Sequence, residues 1–355
     1  MGVVLRIADR SRCSLAAAAL AMAVACGGNS STSTAPTGTA PTDVAAQFEQ
    51  MWATFDRNYS YFEHKRIDWN ALKAEFAPRV AGVTQNELVM LVQNMLGRLH
   101  DQHVVLTSGS TTLRTYTPDY FVNWDNSVWQ QYLARGNAQV RNAAVSAVFD
   151  GVPYIAVQSW NPSRVNVSDL DTFLDAFRDR PALILDVRMN PGGFDQPAFD
   201  FAGRFATSTT TSGFFQFRNG PGHSDFTARQ ARTFSPRGSF QFTRPVLLLI
   251  GRFCASSNES FIAAMQQLPQ VTLIGDTTGG STANPQTFVL GGGWSYSVSR
   301  WIEYTASGQA IEDQGIAPTV AIPASAADFQ SGRDPVLDYA IARATFKPTS
   351  SERRD

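Results

Sequence analysis

The stretch Pro245–Met265, PVLLLIGRFCASSNESFIAAM, decides the fold. It runs from an unbroken apolar segment through a short turn into a segment with helical spacing. A short continuous apolar run reads as a strand buried on both faces, as in a sheet covered by helices on each side. The same grammar recurs on either side. ALILDVRM (182–189) is a second buried strand, followed by the turn NPGG (190–193) and a helix near Gln196 to Phe205. VTLIGD (271–276) is a third. Buried strands alternating with helices predict an α/β layered core.

Further out the pattern changes. VSAVFDGVPYIAVQSW (145–160) reads as two strands around a turn at Asp150-Gly151, and Val167–Phe177 as a helix. Toward the N-terminus, Val44–Tyr59, Asp68–Val80 and Thr84–Leu99 read as helices, with Asp68 a cap and TQNE (84–87) a capping box. HVVLTS (103–108) is a strand. Gly213–Arg237, rich in Gly, Ser, Thr and Arg, reads as a long loop or excursion whose length permits a lid. FVL, WSYSVS and WIEYT (288–305) alternate like an antiparallel hairpin, and Asp334–Phe346 is a closing helix.

The 29 basic and 30 acidic residues leave a net charge of -1, with no electrostatic footprint for nucleic acid or an anionic membrane. No zinc or calcium spacing is present, and GGFDQ and LGGGW lack the Lys-Ser/Thr pair of a phosphate-binding loop. No metal or cofactor is therefore expected.

The first 26 residues read as an export signal: Arg6, Arg10 and Arg12, then an apolar run from Leu15 to Ala25, then AVAC ending in Cys26. Small residues before a cysteine resemble the lipobox of bacterial lipoproteins, although Ala23 stands where leucine is usual. Cys26 is thus a predicted lipidation site, and residues 27–43 a Gly/Ser/Thr/Pro tether. The expected layout is a signal over 1–26, a linker over 27–43, a helical subdomain over 44–108 and a catalytic domain over 109–346. The mature chain is expected outside the cytoplasm, facing the periplasm or exterior, and on the membrane only through its anchor. Cys254 is then the remaining thiol, and no intramolecular disulfide is expected.

Ser256 falls at the start of the predicted helix after the strand, where unpaired backbone N–H groups and the positive end of the dipole suit an oxyanion-forming nucleophile. The competing reading is a cap, since Ser256-x-x-Glu259 has capping-box spacing. Cys254 is a rival nucleophile or a small buried residue. A nucleophilic serine needs a base. The three lysines, Lys65, Lys73 and Lys347, lie outside the predicted core and none follows Ser256 closely, which argues against a Ser-Lys dyad. Four histidines remain: His64, His100, His103 and His223.

Five segments in order resemble one family, the serine peptidases that include carboxyl-terminal processing peptidases and the tricorn core protease. LHDQH (99–103) resembles L-x-D-x-H. ILDVRMNPGG (184–193) resembles D-L-R-x-N-x-G-G, SSNE (256–259) resembles S-A-x-E, LIGDTTGG (273–280) resembles I-G-x-x-T-x-G, and EDQGIAP (312–318) resembles E-x-x-G-x-x-P. FDRNYSYFEHKRIDWNAL (55–72) is similar to the family's N-terminal helical element. The resemblance implies a ClpP/crotonase-like layered α/β core after a small helical subdomain, and a serine endopeptidase acting on proteins or peptides. It implies Ser256 as nucleophile, His103 as base, Glu312 as an orienting carboxylate, and backbone N–H of Ser257 and of Gly192 or Gly193 as oxyanion donors. Asp186 and Arg188 are read as a structural pair. The chain departs from the processing branch, whose lysine would fall near Gly280 and Ser281, and from the tricorn branch, which has a serine where Gln102 stands. Only Ser108–Ala143 separates the helical unit from the core, too short for a PDZ domain. The alternatives are a binding protein for apolar ligands on the same fold, its pocket lined by Trp124, Trp129, Phe214, Phe215, Trp294 and Trp301, and an esterase using the same serine.

Overall fold

The computed structural model describes residues 36–345, so the predicted signal, Cys26 and most of the tether lie outside the described residues. Its centre is a seven-stranded sheet. In spatial order the strands are Val320–Ala321, Val271–Gly275, Val246–Ile250, Leu183–Asp186, Val152–Val157, Ala144–Phe149 and Gln139–Arg141. The first five are mutually parallel, and the last two continue antiparallel from Val152–Val157.

The apolar runs are covered on both faces, as their lack of alternation requires. Leu183 and Leu185 face one core with Leu248, Phe201 and Phe261, beneath the helices Val167–Ala176, Asp195–Ala202 and Ser257–Met265. Ile184, Leu247 and Leu249 face the other with Trp129, Val336 and Leu337, beneath Asn126–Arg135 and Pro335–Thr345. The predicted layered α/β architecture is the observed one.

The helices Trp69–Phe76 and Gln85–Gly97 start at the predicted caps Asp68 and Thr84, the latter a full capping box, and Val44–Asn58 is capped by Asp43, which the sequence reading did not name. Their apolar faces close on a third core shared with later chain: Phe48, Phe55 and Leu88 pack with Leu290, Tyr296 and Val298. The strand Val105–Ser108 pairs with Trp294–Val298, so the chain just before the layered core is stitched to its C-terminal third.

Two expectations are corrected. Gly213–Arg237 is not a long loop: Thr210–Phe217 and Gln230–Phe234 form an antiparallel pair. Within it Arg232 is buried, paired with Asp195 at 2.7 Å and Glu303 at 2.6 Å. Nor is 288–305 a single hairpin. Trp294–Val298 pairs with Gln286–Gly291, whereas Trp301–Thr305 joins a separate three-stranded sheet, pairing with Thr210–Phe217. Alternation marks a strand but not its partner. The helices Phe62–Lys65 and Asn126–Arg135 are additional to the sequence reading.

Candidate active site

Ser256 joins the Val246–Ile250 strand to the Ser257–Met265 helix at the N-cap position, with φ 57° and ψ -134° and no side-chain capping bond. Positive φ is costly for a residue with a Cβ and persists only where surroundings impose it. The imposing contacts are visible. The Ser256 N–H donates to Ser281 O at 2.7 Å, and Gly192 packs so closely that a Cβ there would lie 2.7 Å from Ser256 Cβ. The capping-box reading is overturned. Glu259 turns away and accepts from Gly280 N and Ser281 N, both at 2.8 Å, and from the Thr278 hydroxyl. Burial pushes the Glu259 carboxyl up to about 7, against these hydrogen bonds, which pull it down.

His103 enters from LHDQH, fixed by its own backbone: its N–H donates to Asp101 Oδ1 at 2.8 Å, and Asp101 Oδ2 accepts from Ser299 Oγ at 2.7 Å. The ring is buried, with Nδ1 3.0 Å from Ser281 Oγ and 3.9 Å from Asp101 Oδ1. Burial lowers its pKa and Asp101 opposes that, while Lys65 and Arg114 lower it further. The other histidines sit elsewhere: His223 pairs with Asp56, His100 stacks on Tyr116, and His64 meets the Glu312 carbonyl and Asp313.

Glu312 is buried, and its carboxylate bonds run to Lys65 Nζ at 2.8 Å and Thr282 N at 2.9 Å. Burial raises its pKa well above the ordinary range, opposed by Lys65. Lys65 also reaches Asp313 at 2.5 Å and His100 O at 3.3 Å. Thus a lysine does reach the site, from the short helix Phe62–Lys65, but as the committed counter-ion of two carboxylates. Burial depresses the ammonium, and Glu312, Asp101 and Asp313 outweigh it, leaving Lys65 above its usual range. Spacing along the chain gave no sign of this contact.

The NPGG turn is held against the helix start. Asn258 Nδ2 donates to Val187 O at 3.0 Å and Asn190 O at 2.8 Å, and Trp160 Nε1 donates to Asn258 Oδ1 at 3.0 Å. The Gly192 N–H donates to Asn190 Oδ1 at 2.8 Å. Gly193 lies at φ 144°, where a Cβ would come 2.4 Å from Asn161 N. Below the turn, Arg188 is fully buried and forked onto Asp186 (3.0 and 2.8 Å) and Asp334 (2.9 and 2.8 Å). Cys254 is buried, its thiol donating to Val187 O and pushed well up by burial, so no thiolate forms there at neutral pH. Among the described residues no group of three or more His, Cys, Asp or Glu is placed to hold a metal ion.

The chain has relatives of known family and fold. The family model described as Peptidase family S41 matches residues 151–322, and that of the Tricorn protease C1 domain matches 40–97. The solved structure of a candidate peptidase from Parabacteroides merdae ATCC 43184 is 30% identical, with a TM-score of 0.78, covering 88% of this chain and 99% of that one. The chain belongs to peptidase family S41. Family and fold are those of serine-type peptidases. Carboxy-terminal processing protease CtpA of Bacillus subtilis (strain 168) is 26% identical over 195 residues, 54% of this chain and 38% of that protein. The S41 chain thus spans between 34% and 38% of the length of the curated relatives it matches. Mature CPAF, 9% identical, shares the fold with a TM-score of 0.63, covering 86% of this chain and 98% of that one.

Proposed function

We propose that this S41 chain is a serine endopeptidase cutting peptide bonds of proteins or peptides, with Ser256 as nucleophile and His103 as base in a Ser-His-Glu type site. The observation that carries the reading is Ser256 itself. It is held at positive φ at a strand–helix turn, relieved of capping, and joined through Ser281 to the ring of the buried His103.

In this reading Ser256 Oγ bonds to the scissile carbonyl carbon while its proton passes to His103 Nε2. The oxyanion is received by the N–H of Ser257, in the first turn of its helix, and of Gly193. Gly193 is preferred to Gly192, whose N–H is already given to Asn190. Collapse breaks the C–N bond as His103 returns the proton to the amine, and water then hydrolyses the acyl-enzyme. Glu312 acts from one residue beyond Ser281, through the Thr282 N–H. Depressed basicity of His103 keeps the ring neutral, and so competent as a base, at neutral pH.

No observation favours an apolar-ligand binder. The aromatic residues that would line its pocket divide between separate cores, Trp124 and Trp129 with Tyr154 in one, Phe214 and Trp294 with Tyr296 in another. An exported, lipid-anchored location in the cell envelope is supported by the N-terminal sequence. Among the described residues no helix is long and apolar enough to cross a membrane.

A fluorophosphonate probe tests the chemistry. An adduct mapping to Ser256, lost in Ser256→Ala and in His103→Ala, is the expected result; no adduct on the folded wild type overturns it. Palmitate incorporation is expected to vanish in Cys26→Ser, and its persistence refutes the anchor.

A further inference from the structure

Resting on that Ser-His reading, we propose that Ser281 is the positioning residue of the base, its hydroxyl accepting from His103 Nδ1–H so that Nε2 is left to take the Ser256 proton. Ser281 is buried and makes three bonds in three directions. Its carbonyl accepts from Ser256 N at 2.7 Å, its N–H donates to Glu259 Oε2 at 2.8 Å, and its Oγ lies 3.0 Å from His103 Nδ1. One residue therefore fixes the nucleophile's backbone and the base's ring together. Gln102, half-buried beside the histidine, is not the ring's partner.

A hydroxyl both donates and accepts, so it does not choose a tautomer alone. Asp101 chooses. Its Oδ1 lies 3.9 Å from Nδ1, close enough for its charge to favour a proton on that nitrogen. The Nδ1–H then finds the Ser281 lone pair in bonding range. The two glutamates of the predicted motifs take on a shared purpose. Glu259 receives the N–H groups of Gly280 and Ser281, and Glu312 that of Thr282, so three successive peptide N–H groups are gripped by two buried carboxylates. Their grip holds the Ser281 backbone still, and Glu312 reaches the base through this segment, since its own oxygens are bonded to Lys65 and Thr282.

Ser281→Ala keeps both backbone bonds and removes only the hydroxyl. The rate of fluorophosphonate labelling at Ser256 is expected to fall about tenfold, the worth of one neutral hydrogen bond in the transition state. The acid limb of its pH profile is expected to move to lower pH, because the imidazolium loses an acceptor. Asp101, Lys65 and Arg114 are the charged groups acting on the ring and are unchanged in the variant. A purely structural role would lower the rate without moving the limb. Gln102→Ala is expected to match the wild type. In the wild type, ¹⁵N resonances of His103 are expected to show a protonated Nδ1 and an unprotonated Nε2. Four results overturn the proposal: wild-type rate and limb in Ser281→Ala, a lowered rate there with the limb unmoved, the opposite tautomer in the wild type, or loss of rate in Gln102→Ala in place of Ser281→Ala. The wild-type resonances need no variant to fold. Labelling that survives His103→Ala sinks the Ser-His reading itself. Labelling abolished there but untouched in Ser281→Ala sinks only the role of Ser281.

Discussion

Replacing Lys65 by Met should convert a stable ion cluster into a pH-sensitive fault. The side chain is 5% exposed and bridges Glu312, itself 2% exposed, and Asp313, which is 47% exposed. Asp313 simply regains water, and losing its pair costs roughly 0–1 kcal/mol. Glu312 has no such escape: its carboxylate keeps one bond, to Thr282 N at 2.9 Å. Removing one partner of a buried pair costs about 3–5 kcal/mol when the other stays charged. Glu312 can instead take a proton, since burial already raises its pKa and Lys65 is the influence that lowers it. A carboxyl with its folded pKa above the unfolded one destabilises the fold as pH rises from the unfolded to the folded value. Lys65→Met raises the folded value further and extends that loss to higher pH. Urea unfolding should therefore show a smaller deficit against wild type at pH 5 than at pH 8, the deficit approaching about 3–5 kcal/mol as Glu312 is left charged without its partner. Lys65→Met/Glu312→Gln, lacking both charges, should recover most of the difference at pH 8. Equal deficits at the two pH values, or a double variant as unstable as the single one at pH 8, would refute the reasoning.

Gly192→Ala places a Cβ 2.7 Å from Ser256 Cβ and 2.8 Å from Ala255 O at φ 109°, so labelling at Ser256 should fall at least about 100-fold, the usual loss on disturbing an oxyanion site. A far-ultraviolet circular dichroism spectrum like wild type, with labelling unimpaired, contradicts this. Arg188→Leu leaves Asp186 and Asp334 buried without a cation and should destabilise by about 3–5 kcal/mol in urea melts; a loss under about 1 kcal/mol would show the fork to be dispensable. The Glu259 carboxyl, raised from 4.5 to about 7, makes stability decline as pH rises across that interval, by about 3 kcal/mol at ~1.4 kcal/mol per pKa unit. Glu259→Gln should flatten that slope, and an unchanged slope would place the titration elsewhere.

The sequence by itself determined the layered core and the order of its parts. Strands such as Val246–Ile250 and Leu183–Asp186 are apolar on both faces, and a segment with no polar side has only one place to go in a sheet. It also placed the boundaries at Asp68 and Thr84, because a cap bonds to N–H groups two or three residues away. Ser256, His103 and Glu312 were legible as motifs. The surroundings of Ser256 were not: spacing to Glu259 offered a cap, and only the packed structure shows Glu259 bonded to the 278–281 segment and Ser256 forced to positive φ. Ser281 meeting His103 across 178 positions, and Lys65 meeting Glu312 across 247, leave no trace in periodicity or local spacing. Such contacts join elements distant in the chain, and their energy comes from excluding water around charges that exist as a site only after the three cores have closed.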